Sequence, residues 1–138
     1  MSGSEEGSAV AVAVAPNGGR RTKSDHPALP LTPAELAATA ADCAEAGASM
    51  IHLHVRDRDG RHLLDAGAYV EAIEAVRREV GERLVVQITS EALGIYSREE
   101  QMEVVRAVRP EAVSLALREL APDAAAERDF GGFLAWLR

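Results

Sequence analysis

Four short apolar runs punctuate this chain, and each is followed by a segment of helical period. The runs are AVAVAVA at 9–15, MIHLHV at 50–55, LVVQIT at 84–89 and EAVSLAL at 111–117. Valines 10, 12 and 14 alternate with alanines in the first run, as expected of a strand covered on both faces. Strict alternation of strand and helix implies parallel strands joined by helical crossovers. The predicted order is βαβαβαβα.

The helix boundaries are written in capping residues. Thr32 with Pro33 and Glu35 combines a capping box with proline at the first helical position, where its missing N–H costs nothing. That helix is predicted to run to about Ala46, with Gly47 as its stop. Asp65 caps a second helix ending at Gly81, with Tyr69, Ala72, Ile73 and Val76 on its apolar face. Ser97 and Glu100 open a third helix, which ends before Pro110. Asp123 opens a fourth, weakened by the pair Gly131-Gly132.

Two architectures fit this order: a doubly wound sheet and a (β/α)₈ barrel. No GxGxxG follows the first strand, so the dinucleotide-binding version lacks its fingerprint. A full barrel takes about 250 residues, roughly 31 per unit. Residues 9–138 hold four units of about that size, so half of a (β/α)₈ TIM barrel is expected, preceded by a disordered tail at 1–8.

Composition narrows the partners. The chain has 138 residues, a net charge of −7 and 4% aromatics, with no basic stripe carrying stacking aromatics, so no nucleic acid is expected. Arg20, Arg21 and Lys23 read as a solvated basic loop. No run approaches the ~18 apolar residues of a membrane span, and MSGSEEGS is too acidic and polar for a signal peptide. The single cysteine, Cys43, lies among alanines at helical spacing and reads as a small buried residue. A cytoplasmic location is expected.

The chemistry concentrates in IHLHVRDR, residues 51–58. Side chains alternate along a strand, so Ile51, Leu53 and Val55 share one face, and His52, His54 and Arg56 the other. The polar set sits at the strand's C-terminal end, where barrels place their chemistry. Two imidazoles at i and i+2 can serve one zinc ion, although a catalytic zinc takes a third protein ligand. The alternative is two core histidines satisfied by hydrogen bonds. Asn17, Thr89, Ser90 and Ser114 fall at the other strand ends, and Glu91 is the nearest carboxylate. His26 and His62 are expected to be solvated loop residues.

The stretches NGGRRTKSDHPALPLTPAEL, EAGASMIHLHVRDRDGR, VVQITS and PEAVSLAL resemble the β-keto acid cleavage enzyme family over residues 9 to 120. The combination of DxPxLPxTPxE with IHLHxR is more specific than HxH alone. The resemblance implies a (β/α)₈ barrel, a homo-oligomer and a divalent zinc. It implies a reaction in which a β-keto acid and acetyl-CoA yield acetoacetate and a new acyl-CoA. His52 and His54 match the family's zinc histidines, and Thr89 and Ser114 match its hydroxyl-bearing substrate contacts.

The departures are specific. Arg20 matches a substrate-facing position where a family member acting on an aminated keto acid has glutamate. Ala116 replaces an asparagine contact, and the family's STGG reads TSEA here, placing Glu91 at a glycine position. A different β-keto acid is therefore expected. The family's third zinc ligand, a glutamate, and its catalytic aspartate and arginine belong to later strands. This chain is expected to be the N-terminal half, with weak zinc binding and little activity by itself. Two alternatives are a non-catalytic half-barrel that self-associates and an HxH metallohydrolase.

Overall fold

A computed structural model describes residues 9–138; the tail expected at 1–8 lies outside the described residues. Four strands form a parallel sheet: β1 (Ala13–Val14), β2 (Met50–His52), β5 (Val85–Thr89) and β6 (Ala112–Ser114). Between β2 and β5 the chain makes an antiparallel hairpin, β3 (Val55–Arg56) with β4 (His62–Leu63). The helices are α1 (Pro33–Glu45), α2 (Ala66–Val80), α3 (Arg98–Val108), a short α4 (Leu117–Leu120) and α5 (Ala124–Leu137). None of the helices is long and apolar enough to cross a membrane.

The sheet order is β1-β2-β5-β6, which follows the chain without reversal. A doubly wound sheet reverses direction at a switch point; consecutive barrel units do not. The topology is thus α/β with barrel-like winding, and the described residues do not close a barrel.

The caps act as the sequence predicts. Thr32 and Ser97 each accept from the backbone three residues on, and Glu35 and Glu100 reach back, completing two capping boxes. Asp65 accepts from Ala68 N, and Asp123 from Ala125 N and Ala126 N. Gly81 takes φ +59°, a left-handed value that lets α2 stop there. The Gly131-Gly132 pair does not interrupt α5, because buried Phe130 and Phe133 anchor the helix on either side of it.

Register decides which side chains meet. Ile51 pairs with Val86, and His52 with Gln87, so two distinct faces form. Ile51, Val86 and Ile88 pack with Leu36 and Ala40 of α1 and with Tyr69, Ala72 and Val76 of α2. Each large side chain so buried contributes roughly 1.5–3 kcal/mol. A second cluster joins Met102 and Val105 of α3, Leu120 of α4, and Phe130 and Phe133 of α5. The opposite sheet face carries Met50, His52, Val85 and Gln87, all only half-buried.

Four expectations are corrected. The first run is not covered on both faces: only Ala13–Val14 is strand, and Val10 and Val12 are 82% and 51% exposed. Strand pairing in the second run stops at His52, and the chain turns into the hairpin. The fourth strand ends at Ser114 because Leu117–Leu120 forms α4. Cys43 is half-buried rather than buried.

Candidate metal and substrate site

The site lies at the C-terminal ends of β2, β5 and β6. In the β2–β5 pairing His52 stands opposite Gln87, and in the β5–β6 pairing Thr89 stands opposite Ser114. All four side chains therefore occupy one face. A cleft of about 220 Å³ opens there, lined by His52, Thr89 and Ser114 together with Glu91, Arg118 and Glu119.

His52 is oriented from the sheet. Its Nδ1 lies 2.7 Å from Gln87 Oε1. An amide oxygen only accepts, so Nδ1 carries the proton and Nε2 keeps its lone pair. His54 is buried, and its Nε2 lies 3.2 Å from His52 Nε2. Burial, then the nearby His52, His62 and Arg56, lower its pKa to about 3, so it is neutral at pH 7. Its Nδ1 has no hydrogen-bond partner among the described residues.

Backbone contacts hold His54 in place. The buried Asn17 side chain donates from Nδ2 to His54 O at 2.8 Å and to Pro30 O at 3.1 Å. Its Oδ1 accepts from His54 N at 3.2 Å. Arg56 does not extend into the cleft; it donates to the carbonyls of Gly18, Asn17 and Arg21, tying the loop after β1 to the hairpin.

His62 is not solvated as expected. It is buried on β4, with its Nε2 2.7 Å from Glu91 O and its ring 5.8 Å from that of His54. The hairpin, invisible in the strand-and-helix pattern, carries it inward. Glu91 is positioned by that bond and by its own N–H, which donates to Thr89 Oγ1 at 3.1 Å. The Glu91 carboxylate reaches within 3.8 Å of His54 Nδ1.

Arg20 lies exposed in the turn after β1 and does not line the cleft. Lys23, read as solvated, pairs with Glu35 at 2.6 Å. Arg118 and Glu119 escaped sequence reasoning because α4 did; the one available signal was the pair of charges just after the fourth strand. Glu119 Oε2 accepts from Ala92 N at 3.3 Å, tying α4 to the loop after β5.

The described donor set is two imidazole nitrogens, one short of the three protein ligands of a catalytic zinc. Two nitrogens at ~2.0–2.1 Å from one tetrahedral ion would lie about 3.3–3.4 Å apart, close to the observed 3.2 Å. Among the described residues no group of three His, Cys, Asp or Glu could hold a metal ion.

Residues 9–131 match the model of the beta-keto acid cleavage enzyme family. The chain is 38% identical over 78 residues to a 3-keto-5-aminohexanoate cleavage enzyme of Fusobacterium nucleatum, covering 56% of this chain and 29% of that protein. It is 31% identical over 107 residues to a 3,5-dioxohexanoate:acetyl-CoA acetone transferase of Paraburkholderia graminis, covering 77% and 34%. It is 29% identical over 105 residues to a 3-oxoadipate:acetyl-CoA acetyltransferase of Cupriavidus necator, covering 76% and 36%. The chain thus spans about a third of the length of these relatives. With its match running nearly end to end, the chain belongs to the β-keto acid cleavage enzyme family.

Proposed function

We propose that this chain supplies the first four units of a (β/α)₈ barrel enzyme that converts a β-keto acid and acetyl-CoA into acetoacetate and a new acyl-CoA. The observation that carries the reading is the pair His52 Nε2 and His54 Nε2, 3.2 Å apart beside a cleft lined by Thr89 and Ser114. Family membership supports the reaction class, and the relatives' names point to keto acids and acetyl-CoA as partners.

His52 and His54 would hold a divalent zinc. When bound, zinc supplies Lewis-acid polarisation of the keto carbonyl. The chain's own residues do the rest of the ordering. Gln87 holds His52 in the tautomer that leaves Nε2 free to ligate. Thr89 and Ser114 offer hydroxyls to the substrate's oxygens from adjacent strands. Arg118 adds positive charge at the cleft, suited to a carboxylate or phosphate. Arg20 remains a proposed contact to a polar or anionic substrate tail, reached from its exposed turn. With Ala116 also lining the cleft, the substrate is proposed to be a β-keto acid other than the aminated one.

Two measurements test the reading. Zinc titration of the 138-residue chain should show weak binding that disappears in His52→Ala; an unaltered affinity in that variant would end the metal reading. Acetyl-CoA and a panel of β-keto acids, followed by mass spectrometry, should give little or no acetoacetate with this chain alone. Ready turnover would show that these four units hold the whole machinery.

A further inference from the structure

We propose that Glu91 is a positioning residue for His54: its carboxylate accepts the His54 Nδ1 proton and so turns Nε2 toward the ion. The inference rests on the reading of His52 and His54 as metal donors. His54 Nδ1 is buried without a hydrogen-bond partner, and a buried polar atom left unpaired destabilises the fold. Among its neighbours, Glu91 Oε2 at 3.8 Å is an acceptor of the right charge, a short side-chain rotation from hydrogen-bond distance.

The surroundings favour this contact in three ways. Glu91 springs from a pinned backbone, with Thr89 Oγ1 accepting its N–H and His62 Nε2 bonded to its carbonyl. Its side chain is 39% exposed, so the carboxylate can move without disturbing the core. Gly19 leaves room above the pair: a Cβ there would stand 2.9 Å from Glu91 Oε2 and 3.4 Å from His54 Nδ1. The glycine is thus a close-approach position over the carboxylate and the imidazole.

Geometry also separates positioning from ligation. Glu91 approaches Nδ1, whereas His52 Nε2 faces His54 Nε2 across the ring. Zinc held by the two Nε2 atoms would leave Nδ1 to this carboxylate. Gln87 on His52 and Glu91 on His54 then play matching parts, both supplied by β5 and the residues just after it. Carboxylates behind metal-bound histidines fix tautomer and raise basicity, and losing one typically weakens metal binding 10–100-fold.

The test combines zinc titration of the 138-residue chain with nitrogen-15 NMR of its imidazoles, recorded without and with zinc. In the metal-free wild type His54 carries its proton on Nε2, 3.2 Å from the His52 Nε2 lone pair; zinc should displace it and leave His54 in the Nδ1–H tautomer. Glu91→Ala should shift His54 toward a mixture and weaken zinc about tenfold or more. Glu91→Gln, whose amide oxygen still accepts, should retain the tautomer and most of the affinity. Gly19→Ala should act in the direction of Glu91→Ala by displacing the carboxylate. Unchanged tautomer and affinity in Glu91→Ala would overturn the proposal, as would equal losses in Glu91→Gln and Glu91→Ala. If His52→Ala leaves zinc binding intact, the metal reading fails; if His52→Ala abolishes it while Glu91→Ala leaves affinity and tautomer unchanged, only the role of Glu91 fails.

Discussion

Asn17 grips the backbone of His54 at two points, donating to its carbonyl at 2.8 Å and accepting from its N–H at 3.2 Å. The side-chain amide does for His54 what a neighbouring strand would do, at the residue where β2 has just left the sheet. Both partners are buried. Asn17→Ala would leave three buried backbone groups unpaired, the His54 N–H and the carbonyls of His54 and Pro30, at about 1–3 kcal/mol each. The expected loss in urea unfolding is about 3–5 kcal/mol, with weaker zinc binding because His54 loses its anchor. Asn17→Asp can still accept the N–H but sets a buried carboxylate against the His54 and Pro30 carbonyls, so it should lose at least as much. An unaltered unfolding midpoint for Asn17→Ala would show that His54 is held by its side chain alone.

Tyr69 carries a similar argument on the other side of the sheet. Its hydroxyl donates to Thr89 O at 2.9 Å, and burial pushes its pKa upward, so it stays protonated. Tyr69→Phe keeps the ring in the core and removes only this bond. The expected cost is about 1–2 kcal/mol, read from thermal or urea melts. Equal stability would mean that water satisfies the Thr89 carbonyl once the hydroxyl is gone.

Much of this was legible from residues alone, for a physical reason. Caps and apolar periods are local, so Thr32, Asp65, Ser97 and Asp123 mark their helices in the sequence and in space alike. The alternation in MIHLHV likewise brings His52 and His54 together. What could not be read depends on contacts distant along the chain. Asn17 and His54 are 37 residues apart, and His62 and Glu91 are 29 apart. The Val10 and Val12 side chains match a covered strand in every local respect, and only the missing neighbour in the described fold leaves them exposed. Arg56 shares the histidines' alternation, yet the loop carbonyls of Gly18 and Asn17 claim its guanidinium.

Acid should weaken α1 through Glu35. The hydrogen bond from Lys23, then those from the backbone of Leu31 and Thr32, hold its carboxyl down to about 2, against an ordinary 4.5. A carboxylate with a depressed folded pKa stabilises the fold above its unfolded pKa. That contribution is lost as pH falls through the folded value. The window is therefore from about 4.5 down to about 2. Glu35 is solvent-accessible, so screening keeps the effect on the order of 1 kcal/mol. Urea midpoints of wild type and Glu35→Gln should differ at neutral pH and converge toward pH 2. A constant gap across that range would assign the effect to shape rather than charge.

The last prediction concerns the open edge of the sheet. β1 pairs with β2 on one side, and among the described residues no strand pairs with its other side. The run leading into it exposes Val10 and Val12, which are 82% and 51% accessible. An apolar, unpaired edge is a template for another strand, and charged side chains are the usual means of blunting one. The 138-residue chain should therefore associate as its concentration rises, seen by light scattering after size-exclusion chromatography. Val12→Lys places a charge on that edge and should shift the distribution toward monomer. Because Val12 is exposed, it should do so with little change in folding stability, within about 0.5 kcal/mol. A wild-type chain that stays monomeric throughout would show that the edge is protected by means other than a partner strand. Association that Val12→Lys leaves untouched would move the contact elsewhere, first to the half-buried sheet face bearing Met50 and Val85.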